Sequence, residues 1–206
     1  MKSTDIRLHN IPGNEAAKRS IEVALVGNHE AIFISTVGSP ATSLLEVANR
    51  IASETGIPFK GHMVSVCPCG AYGNPRIECT CSMDQLMEHG RTMLPLFRKA
   101  DLGIETYQPT KSEFRLMQEL EQVVVERIVR ACANRAEIGV GRDAEDVLNQ
   151  ATEESTTEVL DKMRLLQVAT TIARLDSKTT VHDFHVYEAV RHMHPIVRWL
   201  RDYQEV

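Results

Sequence analysis

The stretch Glu30-Ala31-Ile32-Phe33-Ile34-Ser35-Thr36-Val37-Gly38-Ser39-Pro40-Ala41-Thr42-Ser43-Leu44-Leu45-Glu46-Val47-Ala48 sets the fold class. Its first part, Ala31–Ser35, is a short apolar run of β type, and Thr36–Pro40 is a turn built around a glycine and a proline. Pro40 suits the first turn of a helix, where no backbone N–H is needed and the ring's fixed φ is already helical. The spacing of Leu44, Leu45, Val47, Ala48 and Ile51 then predicts a helix over 41–54. Strand, tight turn and helix in that order form the repeating unit of an α/β protein.

Working outward, Ala16, Ala17, Ile21, Ala24 and Leu25 share one side of a helix predicted over 13–28. Downstream, His62–Val66 reads as a second short strand that ends directly in a cysteine-rich segment. A helix over 83–93 and a third strand over Ala100–Tyr107 follow. From about Thr110 the pattern is helical only. Ser112–Ala136 carries Phe114, Leu116, Met117, Leu120, Val124, Ile128 and Ala131 near helical spacing. Helices over 143–152 and 157–175 come next, the latter burying Val159, Met163, Leu166, Ala169, Ile172 and Ala173. Thr180-Val181-His182-Asp183 has capping-box spacing, with aspartate in place of the usual glutamate or glutamine. It opens a last helix carrying Phe184, Tyr187, Val190 and Met193, with a break expected near Pro195. The expected architecture is a small α/β unit over 1–109, with a three-stranded parallel sheet flanked by helices, and a helical bundle over 110–206.

The chain has 206 residues and a formal charge of -5, too acidic for a generally basic nucleic-acid surface. No apolar run reaches the length of a membrane span, and Met1–Arg7 lacks the apolar stretch of a signal peptide. A cytoplasmic location is therefore expected, where clustered thiols stay reduced and bind metal more often than they form disulfides.

Four of the five cysteines lie in Cys67-Pro68-Cys69-Gly70-Ala71-Tyr72-Gly73-Asn74-Pro75-Arg76-Ile77-Glu78-Cys79-Thr80-Cys81. Two Cys-x-Cys pairs can give four thiolates to one tetrahedral ion, zinc being the best match to that donor set. Gly70, Gly73 and Asn74-Pro75 supply the turns that fold one pair back on the other. Four thiolates fill the shell, so such a site is structural rather than catalytic. His62 and His89 are substitute ligands, and the alternative is a cysteine-rich surface loop that binds nothing. Cys132 falls on the apolar side of a helix, as a small core residue.

The cysteine segment resembles the Asn-Pro-Cys-Pro-Cys-Gly-x-x-Gly-x-Pro…Cys-x-Cys-Ser segment of the magnesium-chelatase-like AAA+ ATPases of the ComM competence-protein type. Other segments resemble the same family in the same order. Ile11-Pro12-Gly13-Asn14-Glu15-Ala16-Ala17-Lys18-Arg19 is similar to its opening helix, and Gly27-Asn28-His29 to the turn before its first strand. Pro95-Leu96-Phe97-Arg98-Lys99-Ala100-Asp101-Leu102 resembles its Pro-Leu-Leu-Asp-Arg-Ile-Asp-Leu, and Val168–Leu175 its helical lid. The resemblance implies a reduced AAA+ core with a lid bundle. The strands present would be equivalents of the family's fifth, first and fourth, which are neighbours in its sheet.

The resemblance also implies a nucleotide site, and its catalytic parts do not carry over. The phosphate loop falls on Ser35–Thr42, where Ala41 stands in place of the lysine and Pro40 removes an N–H. Gly38 and Thr42 remain, with Lys99 at the arginine-finger position; these three are the degenerate nucleotide-site positions. The sensor asparagine becomes Ser65, the lid arginine falls near Leu160, and no apolar strand ends in Asp-Glu. ATP, implied by the family, is not expected from these residues. The leading expectation is a non-hydrolysing structural or regulatory interaction module, with a second copy or a related full-length AAA+ subunit as partner. The rivals are an ATP-binding AAA+ ATPase or DNA-processing motor subunit, and a zinc-dependent nucleic-acid-binding module.

Smaller signals read as solvated surface: Lys18 with Arg19, and Arg191, Arg198 and Arg201 diluted by Asp202 and Glu205. His182, His185, His192 and His194 are read as helix-end or solvated histidines rather than a second metal site.

Overall fold

The computed structural model describes residues 6–74, 76–134, 136–153 and 160–204. The helices are α1 (Glu15–Gly27), α2 (Ala41–Thr55), α3 (Met83–Lys99), α4 (Glu121–Ala133), α5 (Arg142–Glu153), α6 (Lys162–Leu175) and α7 (Asp183–Gln204). The strands are β1 (Glu30–Ser35), β2 (Lys60–Ser65), β3 (Leu102–Glu105), β4 (Gly139–Val140) and β5 (Thr180–Val181). The main sheet is parallel with the order β2-β1-β3, and β4 pairs with β5 in a second, two-stranded parallel sheet. Val159 and the expected helix start at 157 lie outside the described residues, as do Pro75 and Glu205.

Position in the sheet explains the strand sequences. β1 is central, and its Ala31, Ile32, Phe33 and Ile34 are all buried, as expected of a strand covered on both faces. Side-chain alternation sends Ala31 and Phe33 to one face, where they meet Leu44, Val47 and Ile51 of α2, Ile21 and Leu25 of α1, and Ile172 of α6. Ile32 and Ile34 face the other way, with Val64, onto Leu86 and Phe97 of α3 and Trp199, Leu200 and Tyr203 of α7. The second cluster includes a stacked line of rings, Phe97 on Trp199 at 5.9 Å and Trp199 on Tyr203 at 5.1 Å. Both clusters draw on residues from each side of residue 109.

Several sequence expectations change. β2 begins at Lys60 because the Glu30↔Lys60 register continues the ladder where no apolar signal exists. Helix α3 runs six residues past its expected end at 93, through Pro95 to Lys99. The expected helix from Ser112 starts only at Glu121. Before it, the Glu113 carboxylate turns back to the amide and hydroxyl of Thr110, closing a short 3₁₀ turn over Glu113–Arg115. Phe114, Leu116, Met117 and Leu120 stay exposed, so no packing rewards a helix there.

The Glu121 carboxylate is itself buried, taking the Leu8 amide at 2.7 Å, Arg50 at 2.6 Å and Arg7 at 3.1 Å. Burial alone would push its pKa up, and these donors outweigh that and hold it below the ordinary value. Thr180 sits in β5 and does not cap the last helix; the amide of His182 is instead bound by Nδ1 of His185 at 2.9 Å. The last helix continues unbroken through Pro195. The ring packs against Gly103 of β3, where a Cβ would come within 2.7 Å of it.

Lys18 and Arg19 are ties between elements rather than solvated charges. Lys18 is buried against Glu15 and Gln118, while Arg19 joins α1 to Glu188 and Asp176, each at 2.8 Å. Arg198 pairs with Glu105. Among the described residues, no helix is long and apolar enough to cross a membrane.

Candidate metal centre

The loops that leave the C-terminal ends of β1, β2 and β3 converge at one end of the sheet, the end where open α/β sheets usually take ligands. The loop after β2 holds the cysteines. Gly70 and Gly73, both at positive φ (74° and 73°), turn the chain, and Gly70 N–H closes on the Cys67 carbonyl at 3.0 Å. Ser82 then caps α3 through the Gln85 amide, with Gln85 reaching back to the Ser82 amide. The second cysteine pair is thereby fixed just ahead of a helix start.

Cys67, Cys69, Cys79 and Cys81 bring their sulfurs within 4.8 Å of one another, and among the described residues they form the only such group. The Cys67–Cys69, Cys69–Cys79 and Cys67–Cys79 sulfurs lie 3.4, 3.5 and 3.8 Å apart. Bonds of about 2.3 Å to a central tetrahedral ion place sulfurs about 3.8 Å apart. A disulfide needs about 2.05 Å, and all the cysteines are free. Cys67, Cys69 and Cys79 already stand within tenths of an ångström of that spacing, and Cys81, within 4.8 Å of the others, can complete the shell of one metal ion.

Backbone amides prepare the sulfurs for negative charge. Tyr72 N–H donates to Cys67 Sγ at 3.3 Å. The amides of Ala71 and Thr80 hold the Cys69 thiol down to about 5. The Cys81 amide pulls Cys79 the same way, but desolvation and the neighbouring Cys69 and Cys67 sulfurs push it up to about 12. Cys81 is also raised, by desolvation and Cys69 against the pull of the Cys69 amide. The Cys69 thiol ionises easily, and Cys79 and Cys81 resist a second negative charge beside it. A bound dication removes that resistance.

The histidines do not join the group. His89 Nε2 bonds the Ser65 carbonyl at 2.8 Å, and His62 faces Glu30 at 3.3 Å. Ser65 donates its hydroxyl to the Cys67 carbonyl at 2.7 Å. The C-terminal histidines are separately engaged: His182 with Asp143, His192 with Ser20 and Glu188, and His185 in the core. Cys132 is half-buried against the main core.

No protein-family model matches this chain, and no curated protein matches it at a significant level.

The nucleotide-site positions do not assemble within the chain. Lys99 is exposed at the end of α3, just before β3 and thus at the N-terminal end of the sheet. Gly38 follows β1 at the opposite end, while Thr42 points to Met63 Sδ at 3.7 Å. The loop between β1 and α2 is also occupied by its own protein. Its Thr36 amide donates to Ser39 Oγ at 3.3 Å, Val37 to the Gly70 carbonyl at 2.9 Å, and Ser39 to the Thr36 carbonyl at 3.1 Å. Asn74 Nδ2 donates to the Val37 carbonyl at 2.9 Å, and the Thr106 hydroxyl to Ser39 Oγ at 2.9 Å. Gly38, at φ 80°, faces Gln108. The cysteine segment therefore lies on the loop and ties it down. The part played by Asn74 has no sequence signal beyond its turn propensity, because its partner is 37 residues away.

Proposed function

We propose that this chain is a shortened relative of the magnesium-chelatase-like AAA+ ATPases that no longer hydrolyses nucleotide. It works as a structural or regulatory interaction module, with the cysteine segment stapled by one zinc ion. The observation that carries this reading is the engagement of the Thr36, Val37 and Ser39 amides inside the protein. A phosphate loop works because its amides point outward at the β- and γ-phosphates, and these do not. The four-sulfur spacing favours zinc, which takes thiolates tetrahedrally and needs no redox partner. The strand order β2-β1-β3 agrees with the neighbouring strands that the family resemblance implies.

Residue chemistry argues against turnover on every count. Ala41 supplies no charge, no Asp-Glu pair follows β2, and Lys99 could meet a nucleotide only on a neighbouring subunit. The partner suited to this reading is a second copy or a full-length AAA+ subunit.

Metal analysis of the purified protein together with ATP titration calorimetry tests the proposal. The expected result is one zinc per chain, lost in Cys79→Ser, with no saturable heat from ATP with or without magnesium. Magnesium-dependent ATP binding would sink the non-hydrolysing reading. A metal-free protein indifferent to chelators would sink the zinc staple. Salt-sensitive DNA or RNA binding that vanishes with zinc would favour a nucleic-acid module instead.

A further inference from the structure

On the β3 side of the sheet, away from the cysteine group that follows β2, a cavity of about 500 Å³ opens between α1, β3 and α7. That volume is typical of small-molecule sites. Small residues, Ala16 and Ala17, line its α1 wall opposite α7.

Its wall on α7 is built from side chains at helical spacing, Phe184, Tyr187, Glu188 and Arg191. Phe184 and Tyr187 are 49% and 54% exposed, which is unusual for two rings beside a cavity mouth. The Phe184 ring is nevertheless held still. Its centre lies 4.0 Å from that of His185, and it stacks on His182 at 5.8 Å with the planes 12° apart. A ring packed in this way that still keeps about half its surface exposed has area left on which a planar ligand can rest.

The charged groups that line the cavity differ in whether they are paired. Arg19 is matched by Glu188, Asp176 and Glu22, and Glu105 by Arg198. Arg191 lines the cavity and has no carboxylate partner among the described residues. Arg191 is thus the one lining guanidinium not already held in an ion pair, a group that binds carboxylates through two parallel hydrogen bonds.

Ser20, His192 and Glu188 stand in line here, with Ser20 Oγ 2.7 Å from His192 Nδ1 and Glu188 3.4 Å from Nε2. This is not a nucleophile set. Ser20 is buried and donates its hydroxyl hydrogen to the Ala16 carbonyl at 2.9 Å, so the line fixes α1 to α7 and the chemistry of the cavity is binding.

We infer that this cavity binds a small planar aromatic anion, its ring lying on Phe184 and Tyr187 and its carboxylate paired with Arg191.

The probe is 2-naphthoate, with the neutral 2-naphthamide as its isostere, titrated into the full chain by calorimetry and followed by amide chemical-shift mapping. The expected result is saturable naphthoate binding with shifts confined to α1, β3 and α7, and naphthamide at least about tenfold weaker. Arg191→Gln lowers naphthoate affinity about tenfold and leaves naphthamide unchanged. Ala16→Trp, at an exposed position on the cavity wall, blocks both. Both variants change exposed residues, and an unaltered melting temperature verifies that each is folded. Three results overturn the inference: no saturable naphthoate binding at about 1 mM, equal affinity for naphthamide, or binding unaffected by Ala16→Trp.

Discussion

Metal should be felt first at an amide that touches no cysteine. Val37 N–H is bonded to the Gly70 carbonyl at 2.9 Å, and its own carbonyl is held by Asn74 Nδ2 at 2.9 Å. Both partners sit in the segment between the two cysteine pairs, so the Val37 amide, unlike its exposed side chain, exchanges when that segment lifts. Few apolar groups resist lifting, since among the described residues between 66 and 81 only Val66, Cys67 and Ala71 belong to the buried hydrophobic residues. An ion that binds the closed segment alone, at a free concentration about 100 times its Kd, stabilises closure by about 2.7 kcal/mol. Exchange through the open state then slows about 100-fold at the Val37 amide. The assay is native-state hydrogen exchange before and after chelation. The Gly139 amide serves as the control; it bonds the Thr179 carbonyl at 3.0 Å in the small sheet and should respond much less. Cys79→Ser should bring the metal-loaded rate close to the apo rate without opening a core cavity, because Cys79 is only half-buried. If metal leaves on chelation and the Val37 rate stays where it was, the cysteine segment does not govern the loop and the reasoning fails.

Three further outcomes follow from the packing and the charges. A Cβ at Gly90 would stand 2.0 Å from Tyr203 Cδ1, so Gly90→Ala must push that ring off Trp199, at a cost of about 1–3 kcal/mol. Urea unfolding and the near-ultraviolet dichroism of the single tryptophan would both register it; no change in either would contradict the stack. Glu121→Ala leaves the buried Leu8 amide unpaired and frees Arg50 and Arg7, for a loss of about 3 kcal/mol, whereas Glu121→Gln should lose less; equal losses in the two would remove the role given to its acceptor oxygens. Glu188 is opposed by burial but held to about 2 by hydrogen bonds from His192 and Arg19, against an ordinary 4.5. Because the folded value is the lower one, its stabilisation is present above about pH 4.5 and disappears as pH falls toward 2. Discounted for partial exposure, that is about 1–2 kcal/mol, seen as a gap between wild type and Glu188→Gln that closes in acid.

The parts of the fold that were legible are those where local pattern and burial agree. The apolar run in β1 and the helical spacing in α2 each describe a surface that does find a partner. The expectation of a long helix from Ser112 failed because spacing says which residues share a face, not whether anything covers it. Phe114 and Met117 have the spacing and remain exposed. The break expected at Pro195 failed for the opposite reason: a distant glycine, Gly103, supplies the room the ring needs. The four cysteines were legible as a group because side-chain type carries metal chemistry directly. The hold that their segment has on Thr36–Ser39 was not, since it runs through backbone amides and carbonyls that every sequence possesses.

Under the proposed AAA+ relationship, that backbone hold bears on whether a single substitution could give ATP binding. Ala41→Lys would supply a phosphate-loop charge, but a phosphate would still have to displace the bonds that engage Thr36, Val37 and Ser39. Each is worth about 1 kcal/mol net, and those tied to Gly70 and Asn74 break only if the cysteine segment moves as well. Pro40 would still offer no donor. Under this reading Ala41→Lys alone gains no ATP binding, and Ala41→Lys combined with Pro40→Gly gains it only after metal removal. Saturable ATP binding by the metal-loaded single variant would mean that the loop opens freely and that the cysteine segment is not its lock.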